Sequence, residues 1–361
     1  MKINFKFLIL PLFTLLSACQ LFLGQDPNTS PQEVLKSLWS DFNNIHANLD
    51  FRMCSNTSYN SWYDVYHNQS NGYALRVYSG MSEEWLFDLC ASMLKEINDP
   101  HVSLYAPGKY ESSYNDNNHE EFDIFSVMCY LLDTGNNNYK NFLYGRFNSE
   151  PNIGYIHIAL FTDEDSKQGN QEWGRAIDNI LKSLANTDAI VVDVRNNRGG
   201  EMFIMEYIAA RFATEQKDYM KSRIKTGPGP NNLSAPKIYT IKPLQRISGN
   251  LYGYTKPIVL LTNKNSISAA EWFTMALRTQ SHVTHIGTPT CGAFSSRKER
   301  PMINGWYYSI SPENVTDMDG KHYEGTGIPP YIEIQNTINQ ENKDDQLEYA
   351  FDYAMKLAGI K

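Results

Sequence analysis

The sequence predicts an α/β protein: a small helical domain, then a larger core in which helices cover a mainly parallel sheet. Two observations carry that expectation. Between residues 153 and 287, apolar runs of strand length (IGYIHIALF, AIVVDVR, PIVLLTN, VTHIG) alternate with helix-period segments. Strands separated by helices pair in parallel. Upstream of residue 100 the apolar residues recur at helical spacing instead, as in Val34, Leu35, Leu38, Trp39, Phe42, Ile45 and Leu49.

Taken in order, the first helix runs from Pro31 to about Phe51. A second runs from Ser82 to Ile97, with Trp85, Leu86, Leu89, Met93, Leu94 and Ile97 on one face and Ser82 as its cap. These define an N-terminal helical domain over 31–105. Residues 106–150 form a β-rich connecting segment. There FDIFSVMCYLL and FLYGRF read as strands, NDNNHEE as a loop and DTGNNNYKN as a turn. The core spans 151–335: strand 153–161, helix 173–185, strand 189–195, a helix through MFIMEYIAARFA, strands at YTIKP and PIVLLTN, helix 268–279, a strand at VTHIG, and the strand-rich GWYYSISPENVT. A final helix, DDQLEYAFDYAMKLA, lies within 336–361.

Composition narrows the partners. The net charge of −8 over 361 residues, with no Lys/Arg run, argues against nucleic acid. No internal apolar run reaches the roughly 18 residues of a membrane span. The N-terminus differs: MKINFKFLILPLFTLLSAC has basic, apolar and small-residue regions in secretory order. Residues 1–18 are expected to be a lipoprotein signal peptide and 19–30 a tether. LSAC resembles a bacterial lipobox, which makes Cys19 the lipidation site. The mature protein would then sit at the cell envelope, on a membrane's periplasmic or outer surface. Cys54, Cys90, Cys129 and Cys291 remain, without CxxC spacing. No metal site is expected, and both free thiols and a disulfide stay open.

Three stretches end elements at places where α/β sheets form sites. DVRNNRGG (193–200) is a buried strand entering a turn with two glycines, whose N–H groups can face an oxyanion. In TNKNSISAAEWF (262–273), Ser268 stands where loop becomes helix. A serine there is a good N-cap, and equally a nucleophile at the positive end of a helix, with the Ala269 N–H beside it. In NDPHVSLY (98–105), His101 follows the second helix.

Together with HIGTPTCG and YEGTGIPPYIEI, these blocks resemble the tail-specific and tricorn-core serine peptidase family over roughly residues 80–335. The resemblance implies a crotonase-like (ClpP-type) spiral core, no cofactor, and a peptide or protein substrate. In one branch of that family a lysine 25 residues after the serine is the base. Residue 293 here is alanine, so that design is absent. In the tricorn-like branch a histidine from the helical region is the base and a glutamate orients it. The matching residues are Ser268 as nucleophile, His101 as base and Glu324 as its carboxylate, with the N–H groups of Ala269 and of Gly199 or Gly200 as the oxyanion hole. Pro100 stands where some members have a helper serine, and Tyr331 where many have aspartate. The 45 residues of 106–150 are too few for the PDZ domain of the lysine-type members, about 90 residues long. A non-catalytic binding lipoprotein on the same fold is the alternative reading, and an ester hydrolase a third with identical chemistry.

Overall fold

The computed structural model describes residues 29–53, 58–116, 122–132, 139–148, 152–163, 172–244, 253–336 and 343–360. The expected signal peptide, Cys19, Cys54, the end of NDNNHEE and most of DTGNNNYKN lie outside them.

Within the described residues the main sheet has seven strands, in the order Ile332–Glu333, Val283–Gly287, Ile258–Thr262, Ala189–Asp193, Ile153–Ile158, Phe142–Phe147 and Leu131–Leu132. The first five pair in parallel, and the last two add antiparallel. Strands 153–158, 189–193 and 258–262 are buried at every position. That is why they read as continuous apolar runs: both faces of a parallel sheet are covered. Ile190, Val192, Ile258 and Leu260 face helices Glu172–Ser183, Met202–Ala209 and Ala269–Arg278. Val191, Val259 and Leu261 face the C-terminal helix Asp345–Leu357 through Leu347, Ala350 and Ala354.

The N-terminal helices do not close their own core. Leu35, Leu38, Phe42, Phe87 and Leu94 pack with Trp306, Tyr308 and Ile310, which belong to or flank a hairpin from far along the chain. Its strands Lys298–Pro301 and Tyr307–Ile310 pair with Ser103–Ala106 and Lys109–Ser112 in an antiparallel sheet. The strand that follows His101 is thereby tied to the core. A third sheet joins Glu313–Thr316, Lys217–Ile224 and Lys237–Ile241.

Two local readings are corrected. FDIFSVM is a short helix, Ile124–Cys129, because Asp123 caps it by accepting from the N–H groups of Phe125 and Ser126. The first helix is two, Pro31–Ile45 and Leu49–Arg52. His46 leaves the helical path so that its buried imidazole meets the Asp99 carboxylate (3.0 Å), while its other nitrogen accepts from the Asn48 N–H. The Ser82 cap forms as expected, and Ser30 caps the first helix in a capping box with Glu33. Cys90, Cys129 and Cys291 are free thiols.

Among the described residues, no helix is long and apolar enough to cross a membrane, and no group of three or more His, Cys, Asp or Glu residues could hold a metal ion.

Candidate active site

Three adjacent parallel strands deliver their C-terminal loops to one edge of the main sheet. Strand Ala189–Asp193 leads into RNNRGG, Ile258–Thr262 into NKNSIS, and Val283–Gly287 into TPTCGAF. This is where ligand sites form in parallel sheets.

Asparagine side chains lace the first two loops together. The Asn196 N–H donates to Asn263 Oδ1 (2.9 Å), and Asn263 Nδ2 and Asn265 Nδ2 both donate to Asn196 Oδ1. Ile267 N–H donates to the Asn197 carbonyl, and Ser266 Oγ to the Val194 carbonyl. The result presses Gly199 against Ser268. A methyl group on Gly199 would lie 2.8 Å from Ser268 Cβ and 3.1 Å from the Ala269 nitrogen.

Ser268 itself is half-buried, with φ +60° and ψ −117°. A non-glycine residue in that region costs about 1–3 kcal/mol and persists only where its surroundings enforce it. Here Glu271 does so. Its fully buried carboxylate accepts from Ser268 N–H (3.1 Å), Thr290 Oγ1 (2.7 Å), Gly292 N–H (2.6 Å) and Ala293 N–H (2.7 Å). Burial raises the Glu271 pKa, and those donors oppose the shift. The serine therefore sits on a strained loop-to-helix turn, the stereochemistry of a nucleophile elbow without the G-x-S-x-G sequence.

Of the two glycines named as alternatives for the oxyanion hole, Gly199 donates its N–H to Asn197 Oδ1 (2.8 Å). The peptide N–H groups of Gly200 and Ala269 donate to no backbone or side-chain acceptor among the described residues.

His101 lies in the turn before strand Ser103–Ala106. Asp99 fixes that turn: its carboxylate accepts from the His101 N–H (2.8 Å), from His46 and from Ser311 Oγ (2.7 Å). The imidazole is buried, and its Nδ1 has no hydrogen-bond partner among the described residues. Burial lowers its pKa; Asp99 opposes this, and Arg52, Arg297 and His46 reinforce it.

Glu324 is buried too, but its carboxylate meets Arg52 rather than His101. Oε1 accepts from Arg52 Nε (2.9 Å) and Nη2 (2.6 Å), and Oε2 from Phe294 N–H (3.2 Å). Burial raises its pKa to about 7 against the pull of Arg52. Among the described residues no hydrogen bond joins Ser268 Oγ, His101 and Glu324 to one another. Ser268 and Glu324 are linked through the 290–294 turn, which Glu271 holds beside Ser268 and Arg52 beside Glu324; His101 is linked to Arg52 through Asp99. Residue 293, the alanine at the lysine position, is fully buried in that turn. Lys264 donates to the carbonyls of Thr290 and Cys291 (both 3.2 Å).

Sequence reading missed Arg52, Asp99 and Glu271. The signal for Glu271 was present in SISAAE, a serine followed three residues later by glutamate, which is the capping-box pattern.

Comparison with known proteins adds to this geometry. The family model "Peptidase family S41" matches residues 152–334. Carboxy-terminal processing protease CtpB of Bacillus subtilis (strain 168) is 24% identical over 186 residues, covering 51% of this chain and 34% of that protein. CtpA of the same organism is 26% identical over 184 residues, covering 51% and 35%. The chain thus spans about a third of the length of the curated relatives it matches. A solved candidate peptidase from Parabacteroides merdae ATCC 43184 superposes with a TM-score of 0.76 at 24% identity, covering 91% of this chain and 98% of the other. Mature CPAF in complex with lactacystin gives 0.62 at 12% identity, covering 92% and 99%. At these identities the likeness establishes the α/β protease fold.

Proposed function

Because the chain belongs to peptidase family S41, we propose that it is a serine peptidase acting through Ser268, with His101 as base and Glu324 as the supporting carboxylate. The observation that carries the reading is the strained Ser268 at the start of a buried helix, packed against Gly199 and followed by the Ala269 N–H, which has no acceptor among the described residues.

A serine hydroxyl is a poor nucleophile until a base removes its proton. A buried, neutral imidazole can take that proton as the oxygen attacks the scissile carbonyl. The resulting oxyanion is met by the N–H groups of Ala269 and Gly200, each worth about 3–4 kcal/mol in comparable sites. The imidazolium then protonates the leaving amine, and water hydrolyses the acyl-enzyme by the same steps in reverse. In this reading the Glu324 carboxylate supplies negative charge that stabilises the imidazolium. The substrate is a peptide or protein, taken at the cell envelope, where a lipid on Cys19 holds the protein to the membrane.

One observation favours the non-catalytic alternative: the Glu324 carboxylate is bonded to Arg52 and not to His101. A peptide-library digest separates the two readings. Cleavage by wild type that disappears in Ser268→Ala supports the peptidase; no cleavage by either, or equal cleavage by both, removes it.

A further inference from the structure

We propose that Arg52 is a positioning residue for the reaction: its guanidinium clamps the three turns carrying His101, the 290–294 segment and Glu324 into one arrangement. The inference rests on the serine-peptidase reading above.

Arg52 ends the short helix Leu49–Arg52 and is itself buried. Its fork reaches three acceptors. Nε and Nη2 hold Glu324 Oε1, Nη1 holds the Asn98 carbonyl (3.0 Å), and Nη2 also meets the Gly292 carbonyl. Asp99 Oδ1 lies 3.8 Å from Nη2. Few side chains but arginine can do this, because its donors form a rigid planar fork.

Each contact bears on a proposed functional group. Asn98, three residues before His101, has φ +50°, a left-handed conformation that aims the following turn. Its carbonyl is held by Arg52, and its side-chain Oδ1 accepts from the Asn115 N–H (2.9 Å). Gly292 is the point where Glu271 grips the turn from the Ser268 side. Glu324 is a carboxylate in a buried setting that favours its protonated form, and Arg52 is the cation that opposes this. The charged and titratable groups around the cluster are Asp99, His46 and His101 from the first domain, Cys291 from the 290–294 turn, and Arg297. Of these, Asp99 acts on Glu324 in the opposite sense to Arg52.

The test separates charge from geometry. Arg52→Gln removes the cation. The acid limb of kcat/KM should move up by about one pH unit as Glu324 protonates more readily, with kcat at pH 7 down about tenfold and KM within about threefold. Arg52→Lys keeps the charge but loses the fork. Its acid limb should stay in place while kcat still falls about tenfold, since displacement by a fraction of an ångström costs that much. Superimposable pH profiles for wild type and Arg52→Gln, in an active wild type that labels with fluorophosphonate at Ser268, overturn this proposal and leave the peptidase reading intact. An unlabelled, inactive wild type overturns both. If neither variant folds by circular dichroism, Arg52 is a folding residue and the proposal fails.

Discussion

Gly199→Ala is a sharp perturbation of the site because its effect can be worked from coordinates. Gly199 has φ +100°, and the added methyl would lie 2.8 Å from Ser268 Cβ and 2.9 Å from the Ile267 carbonyl oxygen. Ordinary van der Waals contact begins near 3.4 Å, so the turn and the serine must separate by about 0.6 Å. A misplacement of about 1 Å costs on the order of 100-fold in rate, so a loss of at least about tenfold follows. The backbone adds its own strain of about 1–2 kcal/mol. Gly320→Ala is the control: φ is +87°, and nothing lies within 4 Å of the new methyl. It carries the strain without the collision. The assay is the rate of fluorophosphonate labelling, beside urea unfolding of both variants. Gly320→Ala should lose about 1 kcal/mol and label at the wild-type rate. Gly199→Ala should lose about 1–3 kcal/mol and label at least about tenfold more slowly. Equal labelling rates in the two variants would refute the placement of Gly199 against the nucleophile.

Further outcomes follow from buried charge. Glu271→Gln turns an acceptor into a donor facing buried N–H groups, so urea unfolding should show a loss of about 3 kcal/mol, and labelling should slow because Ser268 is no longer held. Arg195 is fully buried between Asp193 (Nη2–Oδ2 2.7 Å) and Asp344 (Nη1–Oδ1 2.8 Å), so Arg195→Met strands two carboxylates and should cost about 3–5 kcal/mol; a change under about 1 kcal/mol would contradict the network. Burial lowers the pKa of His46, His101, His157 and His285. The unfolded chain then binds more protons below pH 6.5 than the folded one, and stability falls as pH drops through that window, by up to about 1.4 kcal/mol per pH unit for each histidine. Glu271 and Glu324, with raised pKa values, act in the opposite sense. The net outcome expected in a thermal-unfolding series is a lower midpoint at pH 5.5 than at pH 7.5; a higher one would contradict it.

The sheet was legible because parallel strands buried on both faces leave an unbroken apolar signature, as in AIVVD and IVLLT. Ser268 was legible because a loop serine before small residues marks a helix start. What escaped were features set by partners distant in sequence. The break at His46 depends on Asp99, 53 residues away. Arg52 meets Glu324 across 272 residues, and nothing near either residue announces the pair. FDIFSVM has the composition of a strand, and one capping aspartate turned it into a helix. The asparagines of RNNRGG and NKNS read as loop filler, yet their side chains join the two loops that set the nucleophile.

The central claim is that Ser268 is a nucleophile activated by His101. The direct measurement is mass mapping of the fluorophosphonate adduct on wild type and on His101→Ala. An adduct on Ser268 in wild type, slowed at least about 100-fold in His101→Ala, is the expected result. An adduct elsewhere, none at all, or equal labelling in the two proteins would contradict it.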